Sequence, residues 1–301
     1  MKLANAPVSW GVSEATGGRQ PAPAVMLAEL AGCGYSGVEL GPFGYLPADP
    51  VGLRGALRAH RLALVGAFCP VALHDADTAA AGIAAADRII ELLAAAGAGV
   101  LVLAEAGDAK RTAVAGRVPA DGSMGFDEGA WTRFSAGAEQ IARRAADHGL
   151  VTAFHPHAAT YVETPAEVDA LLAHTDPSLV GLCLDTGHAV YGGGDPVAIA
   201  RRHATRIRHV HLKDVRTRVL ARAASGELDF AAAVAAGVFA PLGDGDVDLR
   251  GTLGALREAG YDGWLVVEQD RVVGSEDGPS MSRDDAARSF AYLRDRFGGT
   301  P

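Results

Sequence analysis

With 301 residues, 49% of them hydrophobic and 21% charged, the chain has enough apolar material for a sizeable core and too little polarity for extended disorder. Its formal net charge of −9 argues against the basic face that nucleic acid or an anionic membrane surface requires. Cys33, Cys69 and Cys183 are odd in number and widely spaced in or near apolar runs, so they read as reduced packing residues and not as a disulfide frame.

In chain order, Leu3–Ser9 reads as a first strand ending in Ser9-Trp10, so close to the first residue that no secretory leader is expected. Pro21 to Ala31 is an amphipathic helix closed by Gly32 and Gly34, and Gly37–Leu40 is a second strand carrying Glu39. Asp49-Pro50 opens a helix to about His60, since a capping side chain followed by proline suits a helix start. Leu62–Phe68 is a third strand, and Asp77 caps a long helix to Ala96. Gly99–Leu103 is the fourth strand, followed by a loop containing Glu105. The apolar region Ala79–Leu103 is interrupted by Asp87, Arg88 and Glu91, which makes it helix then strand and not a membrane span. A soluble, cytoplasmic protein is expected.

Asp127–His148 is the next helix, Leu150–Phe154 the fifth strand ending in His155-Pro156-His157, and Thr164-Pro165 the start of another helix. The sixth and seventh strands, Val180–Leu184 and Ile207–Leu212, flank one helix opened by Asp195-Pro196. Arg216–Asp246 reads as a long irregular stretch, too long for an ordinary connection and better taken as a site-covering insertion. A helix over Asp248–Ala259, an eighth strand Trp264–Val267 ending in Glu268, and a helix Ser282–Phe297 complete the chain. Eight strand–helix units without a composition break predict an α/β fold of one domain over residues 1–301, a (β/α)8 TIM barrel with a long loop after strand seven. A doubly wound sheet would show a glycine-rich turn after the first strand, and none is there.

Barrel strands deliver their last inward residues to one mouth, where barrel active sites lie. Glu39, His155, Asp185, His211 and Glu268 stand at such ends. Two imidazoles and two carboxylates from four different strands suit a divalent metal such as Mn²⁺, Co²⁺ or Zn²⁺. His209 and His211 share a face at i, i+2, with His211 nearer the carboxyl end. His60, His148, His174 and His203 lie on or beside helices and read as background. Gly192-Gly193-Gly194 lacks the spacing and lysine of a phosphate loop.

At these residues the chain resembles the xylose isomerase-like TIM barrel superfamily of sugar isomerases, epimerases and dehydratases, and within it most closely the inosose (2-keto-myo-inositol) dehydratases. The resemblance spans nearly the whole chain. It rests on Ala6-Pro7-Val8-Ser9-Trp10, Gly37-Val38-Glu39-Leu40-Gly41, His155-Pro156-His157 with Thr160 and Glu163, Leu184-Asp185-Thr186-Gly187-His188, and His209 through Val215. Ala236-Gly237-Val238-Phe239 with Pro241-Leu242-Gly243-Asp244-Gly245 is the part most particular to the dehydratase group. The resemblance implies metal ligands at His155, Asp185, His211 and Glu268, holding Mn²⁺ or Co²⁺, with Zn²⁺ or Mg²⁺ as alternatives. It also implies that His188 contacts substrate, with Trp10, Glu39 and Asp214 as further expected contacts. Among the neighbouring groups, Glu268 or a histidine of the cluster is the candidate base and His157, His188 or Lys213 the candidate proton donor.

Two departures matter. Many isomerases and epimerases of the superfamily have glutamate where this chain has His155, and the epimerases use two metal-bound glutamates as bases on opposite faces of the substrate. Here Glu268 alone remains, as in the dehydratase pattern. The first-strand motif continues as Trp10-Gly11-Val12, unlike the Trp-Thr-Asn-Asp-like run of typical inosose dehydratases, which bears on substrate and not on fold or metal. The expected reaction is an enolate-forming elimination of water from a sugar or cyclitol ketone, with ketose isomerisation or epimerisation, or a related keto-sugar lyase, as the alternatives. No nucleic-acid or membrane partner is expected, and homo-oligomer formation is left open.

Overall fold

The computed structural model describes residues 2–13, 20–274 and 280–297. Parallel strands run through Lys2–Asn5, Gly37–Val38, Ala63–Leu64, Gly66–Val71, Val100–Glu105, Val151–Phe154, Val180–Asp185, Ile207–Leu212 and Trp264–Val267. Apart from the third and fourth, which do not pair with each other, consecutive strands are paired, and the first pairs with the last. The third and fourth of these segments lie at opposite ends of the hydrogen-bonded order, yet one residue, Val65, separates them. Val65 donates its N–H to the Val38 carbonyl (2.9 Å) and accepts from the Gly99 N–H (3.3 Å), so it is bonded on both sides. The two segments are one interrupted strand, and the sheet closes on itself as an eight-stranded barrel. Below, the third strand means this pair, and the later strands are counted accordingly.

Alternation along the strands separates two apolar layers. Outward residues such as Leu101, Leu103, Phe154, Leu182, Leu184, Val210 and Leu212 join the large cluster against the helices. Inward residues are small: Ala4, Val65 and Val266 form one patch, and Val102, Ala153 and Cys183 another. Much of the acidic excess is spent at helix starts. Asp49 and Asp195 accept from backbone N–H groups of their helices as the sequence predicts, Asp127 and Asp248 do the same for the helices expected to begin with them, and Thr164 and Glu167 form a reciprocal capping box.

The structure corrects several boundaries. The first strand stops at Asn5, because Pro7 has no N–H to continue the ladder and Pro7–Trp10 winds into a 3₁₀ turn closed by Gly11 at φ 73°. The helix Ala76–Ala96 is capped by Asp75, with Asp77 inside its first turn. Glu105 ends the fourth strand instead of lying in a loop. Two helices, Thr186–Tyr191 and Pro196–Arg202, fill the crossover expected to hold one. The expected irregular stretch Arg216–Asp246 folds into helices Thr217–Ala224 and Phe230–Ala235, and a short strand Phe239–Ala240 pairs antiparallel with Asp214–Val215. Among the described residues no helix is long and apolar enough to cross a membrane.

Candidate active site

On three of the site strands the inward face carries functional groups two residues apart. His209, His211 and Lys213 lie on the seventh strand and its extension, Glu268 and Asp270 follow the eighth, and His155 and His157 follow the fifth. This spacing creates two tiers at the carboxyl end of the barrel.

The lower tier is His155, Asp185, His211 and Glu268. All four are buried, and one ligand-capable atom from each lies within 4.8 Å of the others. His155 Nε2 is 3.4 Å from Asp185 Oδ2, and His211 Nδ1 is 3.8 Å from Asp185 Oδ2 and 3.2 Å from Glu268 Oε2. Ligands about 2.1 Å from a central ion are roughly 3.0–4.2 Å apart, so the spacing suits a first-row divalent cation. Asp185 Oδ2 and His211 Nδ1 are buried with no hydrogen-bond partner, as is His155 Nδ1. Buried acceptors are seldom left unpaired, and an ion would satisfy the first two. The donor set fits a metal on charge as well. Glu39, Asp185, Glu268 and Asp270 converge on this mouth with Lys213 as the ammonium among them.

Beneath the lower tier, Glu39 Oε1 accepts from His209 Nε2 (2.7 Å) and His211 Nε2 (3.0 Å). Burial pushes the Glu39 carboxyl up, but His211 and His209 outweigh it and hold its pKa well below the usual carboxylate range. The carboxylate uses the Nε2–H of His211 and leaves Nδ1 facing the other lower-tier groups, the orientation in which an imidazole could bind a metal. Expected as a substrate contact, Glu39 lies behind His211, bonded to its ring and to that of His209.

The upper tier is His157, His188, Lys213 and Asp270. The His157 and His188 rings lie 3.8 Å apart between centroids. His157 Nδ1 is 2.7 Å from the Ala158 carbonyl, which only a protonated Nδ1 can satisfy, so neutral His157 offers Nε2 as an acceptor. Burial, then the neighbouring His188 and His155, lowers the His157 pKa well below its ordinary value and keeps the ring neutral. The Ala158 N–H donates to His188 Nδ1 (3.2 Å), which gives that ring the opposite tautomer, with Nε2–H outward. Residue 158 thus fixes one imidazole as acceptor and its neighbour as donor. Lys213 is buried, which disfavours its charge, but Asp185, Asp270 and Glu268 raise its pKa above the ordinary lysine value. The insertion roofs this tier. Phe230 lies 5.9 Å from His157, and Phe239 lies 5.4 Å from His188 with the Lys213 ammonium 5.0 Å from its ring.

Two further expected substrate contacts have other partners. Asp214 accepts from the N–H groups of Val215, Gly243, Gly245 and Val247, so it organises the Gly243-Asp244-Gly245 loop. Trp10 is buried in the outer core and donates its indole N–H to Glu29 (2.7 Å). Asp270 is the group sequence reasoning missed. Its signal was the i+2 spacing from Glu268, the same spacing that relates Lys213 to His211.

A family model described as xylose isomerase-like TIM barrel matches residues 27–296. The chain belongs to that family. Over 275 residues it is 34% identical to an inosose dehydratase of Lacticaseibacillus casei, covering 90% of both chains. It is 36% identical over 273 residues to the rhizopine catabolism protein MocC of Rhizobium meliloti, covering 90% of this chain and 82% of that one. Among solved structures, the IOLI protein with a binding zinc atom superposes with a TM-score of 0.71 at 16% identity, covering 98% and 97% of the two chains. At that identity the likeness is one of fold.

Proposed function

We propose that the protein is a divalent-metal-dependent hydro-lyase acting on a cyclic polyol ketone of the inosose class. The observation that carries this reading is the make-up of the two tiers. One glutamate stands among the four ligands, and a lysine ammonium lies beside it, 3.2 Å from Glu268 Oε2. Epimerisation by two opposed carboxylates would need a second glutamate at the place His155 occupies. Elimination needs one base and one proton donor, and both are here. Similarity to an inosose dehydratase over 90% of both chains supports the same class.

His155, Asp185, His211 and Glu268 would hold the ion. Bound there, Mn²⁺ or Co²⁺ would supply Lewis-acid stabilisation of negative charge developing on a neighbouring substrate oxygen. The chain's own groups handle the protons. Glu268 and the Nε2 lone pair of His157 are the groups able to take the α-proton, while Lys213 and the His188 Nε2–H are donors for the β-hydroxyl that leaves. Phe230 and Phe239 cover the donors and restrict water, which strengthens each polar contact beneath them.

The test is mass spectrometry of scyllo-inosose incubated in D₂O with protein reconstituted with Mn²⁺ or Co²⁺. Loss of one water, abolished in His211→Ala, is the expected result. Deuterium gain without water loss would move the assignment to an isomerase or epimerase, and no change would reject inosose as the substrate.

A further inference from the structure

Asp270 occupies a position that donor counting makes unusual. Its Oδ1 accepts from Lys213 Nζ at 2.9 Å, and its Oδ2 lies 3.5 Å from His188 Nε2. Those two nitrogens are themselves only 3.0 Å apart. His188 Nδ1 is already an acceptor for the Ala158 N–H, so neutral His188 carries its hydrogen on Nε2. An ammonium has donors only. Two donors at this separation cannot satisfy each other and need a shared acceptor. The ammonium also lies 3.2 Å from Glu268 Oε2 and 3.4 Å from Asp185 Oδ2, but among the described residues Asp270 is the carboxylate that faces both side-chain donors.

We propose that Asp270 is a positioning residue that pairs Lys213 and His188 as adjacent proton donors for the departing β-hydroxyl, a role resting on the hydro-lyase reading above. In the step it serves, the α C–H bond breaks and its proton passes to the base. The electron pair forms the new C=C bond, and the β C–O bond breaks as the oxygen accepts a proton from Lys213. One water leaves and no oxidant or reductant is consumed. Asp270 touches neither substrate proton. Its 2.9 Å bond holds the ammonium beside His188 against the pull of Glu268 and Asp185, which lie 3.2 and 3.4 Å from it.

Asp270→Asn removes one acceptor and places a third donor, the amide NH₂, against the other two. The pairing is read first without substrate, by ¹⁵N-histidine NMR of the zinc-loaded protein. A hydrogen-bonded His188 Nε2–H is expected in the wild type and should be lost in Asp270→Asn. Its persistence in the variant, or its absence from the wild type, would overturn the proposal. Substrate turnover is read second, as separate rates of α-deuteration and of water loss in D₂O. Asp270→Asn should slow water loss by about 100-fold while α-deuteration and KM change less than about 5-fold and metal content per chain is unchanged. Asp270→Glu should recover part of the loss. A parallel fall in both rates, or unimpaired water loss, would overturn the positioning role. Absence of water loss in the wild type would instead reject the hydro-lyase reading, while the NMR comparison still decides the pairing.

Discussion

Glu39→Gln tests whether the ligand tier is held from beneath. Glu39 Oε1 is the common acceptor for His209 Nε2 at 2.7 Å and His211 Nε2 at 3.0 Å, and all three side chains are buried. Glutamine keeps an acceptor oxygen but removes the charge that makes His211 a better ligand. Loss of such a partner behind a ligating imidazole typically costs about 10–100-fold in metal affinity, or roughly 1.4–2.7 kcal/mol. The new amide NH₂ is buried without an evident acceptor, which costs about 1–3 kcal/mol of fold stability. We therefore expect the Kd for Zn²⁺ or Mn²⁺, measured by competition with a chromophoric chelator, to rise 10–100-fold. The metal-free Tm should fall by roughly 2–10 °C. An unchanged Kd in a folded variant would refute the reasoning, because His211 would then be oriented without Glu39.

Three other outcomes follow from the surrounding loops. Arg111 is fully buried, paired with Glu167 at 2.7 and 2.9 Å and donating to the Thr160 and Met124 carbonyls, so Arg111→Ala should cost about 3–5 kcal/mol in urea unfolding; a loss below about 1 kcal/mol would contradict this. Glu163 is buried between the Gly116 and Ala159 N–H groups, and burial pushes its carboxyl up to about 7 from an ordinary 4.5. The folded state thus holds this proton more tightly, so the group's contribution is full below about pH 4.5 and is lost as the pH rises through about 7. Relative to Glu163→Gln, the wild type should lose up to about 3 kcal/mol between pH 4.5 and 8, and a pH-independent difference in denaturant midpoints would exclude the effect. Ala159 has φ 70°, a left-handed conformation that disfavours a Cβ, so Ala159→Gly should raise stability by about 0.5 kcal/mol, and a clear fall in the urea midpoint would count against strain there.

The fold and the groups now clustered in the lower tier were legible because each of four strand-like runs ended in a metal-capable residue. Parity could have taken the reading further. With His209 and His211 facing inward, Lys213 must face inward and Asp214 outward, which is where the structure puts it, bonded to the Gly243–Val247 backbone. The same rule applied to Glu268 would have found Asp270. Glu39 was harder. Its place at a strand end is readable, but its height in the barrel depends on the register in which the second strand meets the first, where Glu39 N–H bonds to Asn5 O, and no local pattern records that register. The interruption at Val65 depends likewise on having different partners on either side, which no local pattern records. In the insertion, Asp229 caps the helix that begins at Phe230, and this was a readable start signal hidden by length.

The tiers follow from strand geometry, and one strand breaks the rule in a way that constrains the chemistry. Residues i and i+2 on a strand are about 6.6–6.8 Å apart on the same face, so a group two residues past a ligand stands one layer further out. His155 and His157, His211 and Lys213, and Glu268 and Asp270 obey this relation. On each of these strands the outer residue can be exchanged without replacing the inner one. Asp185 has no such partner, because the chain turns at once into the helix Thr186–Tyr191. Its two oxygens divide the work: Oδ1 accepts from the His188 N–H at 2.8 Å as the helix cap, while Oδ2 faces the ligand cluster. His188 returns to the upper tier one helical turn later, and its place there depends on the cap. Changing Asp185 would therefore disturb a proposed metal ligand and the placement of His188 together, whereas His157, Lys213 and Asp270 can be changed with every lower-tier residue kept.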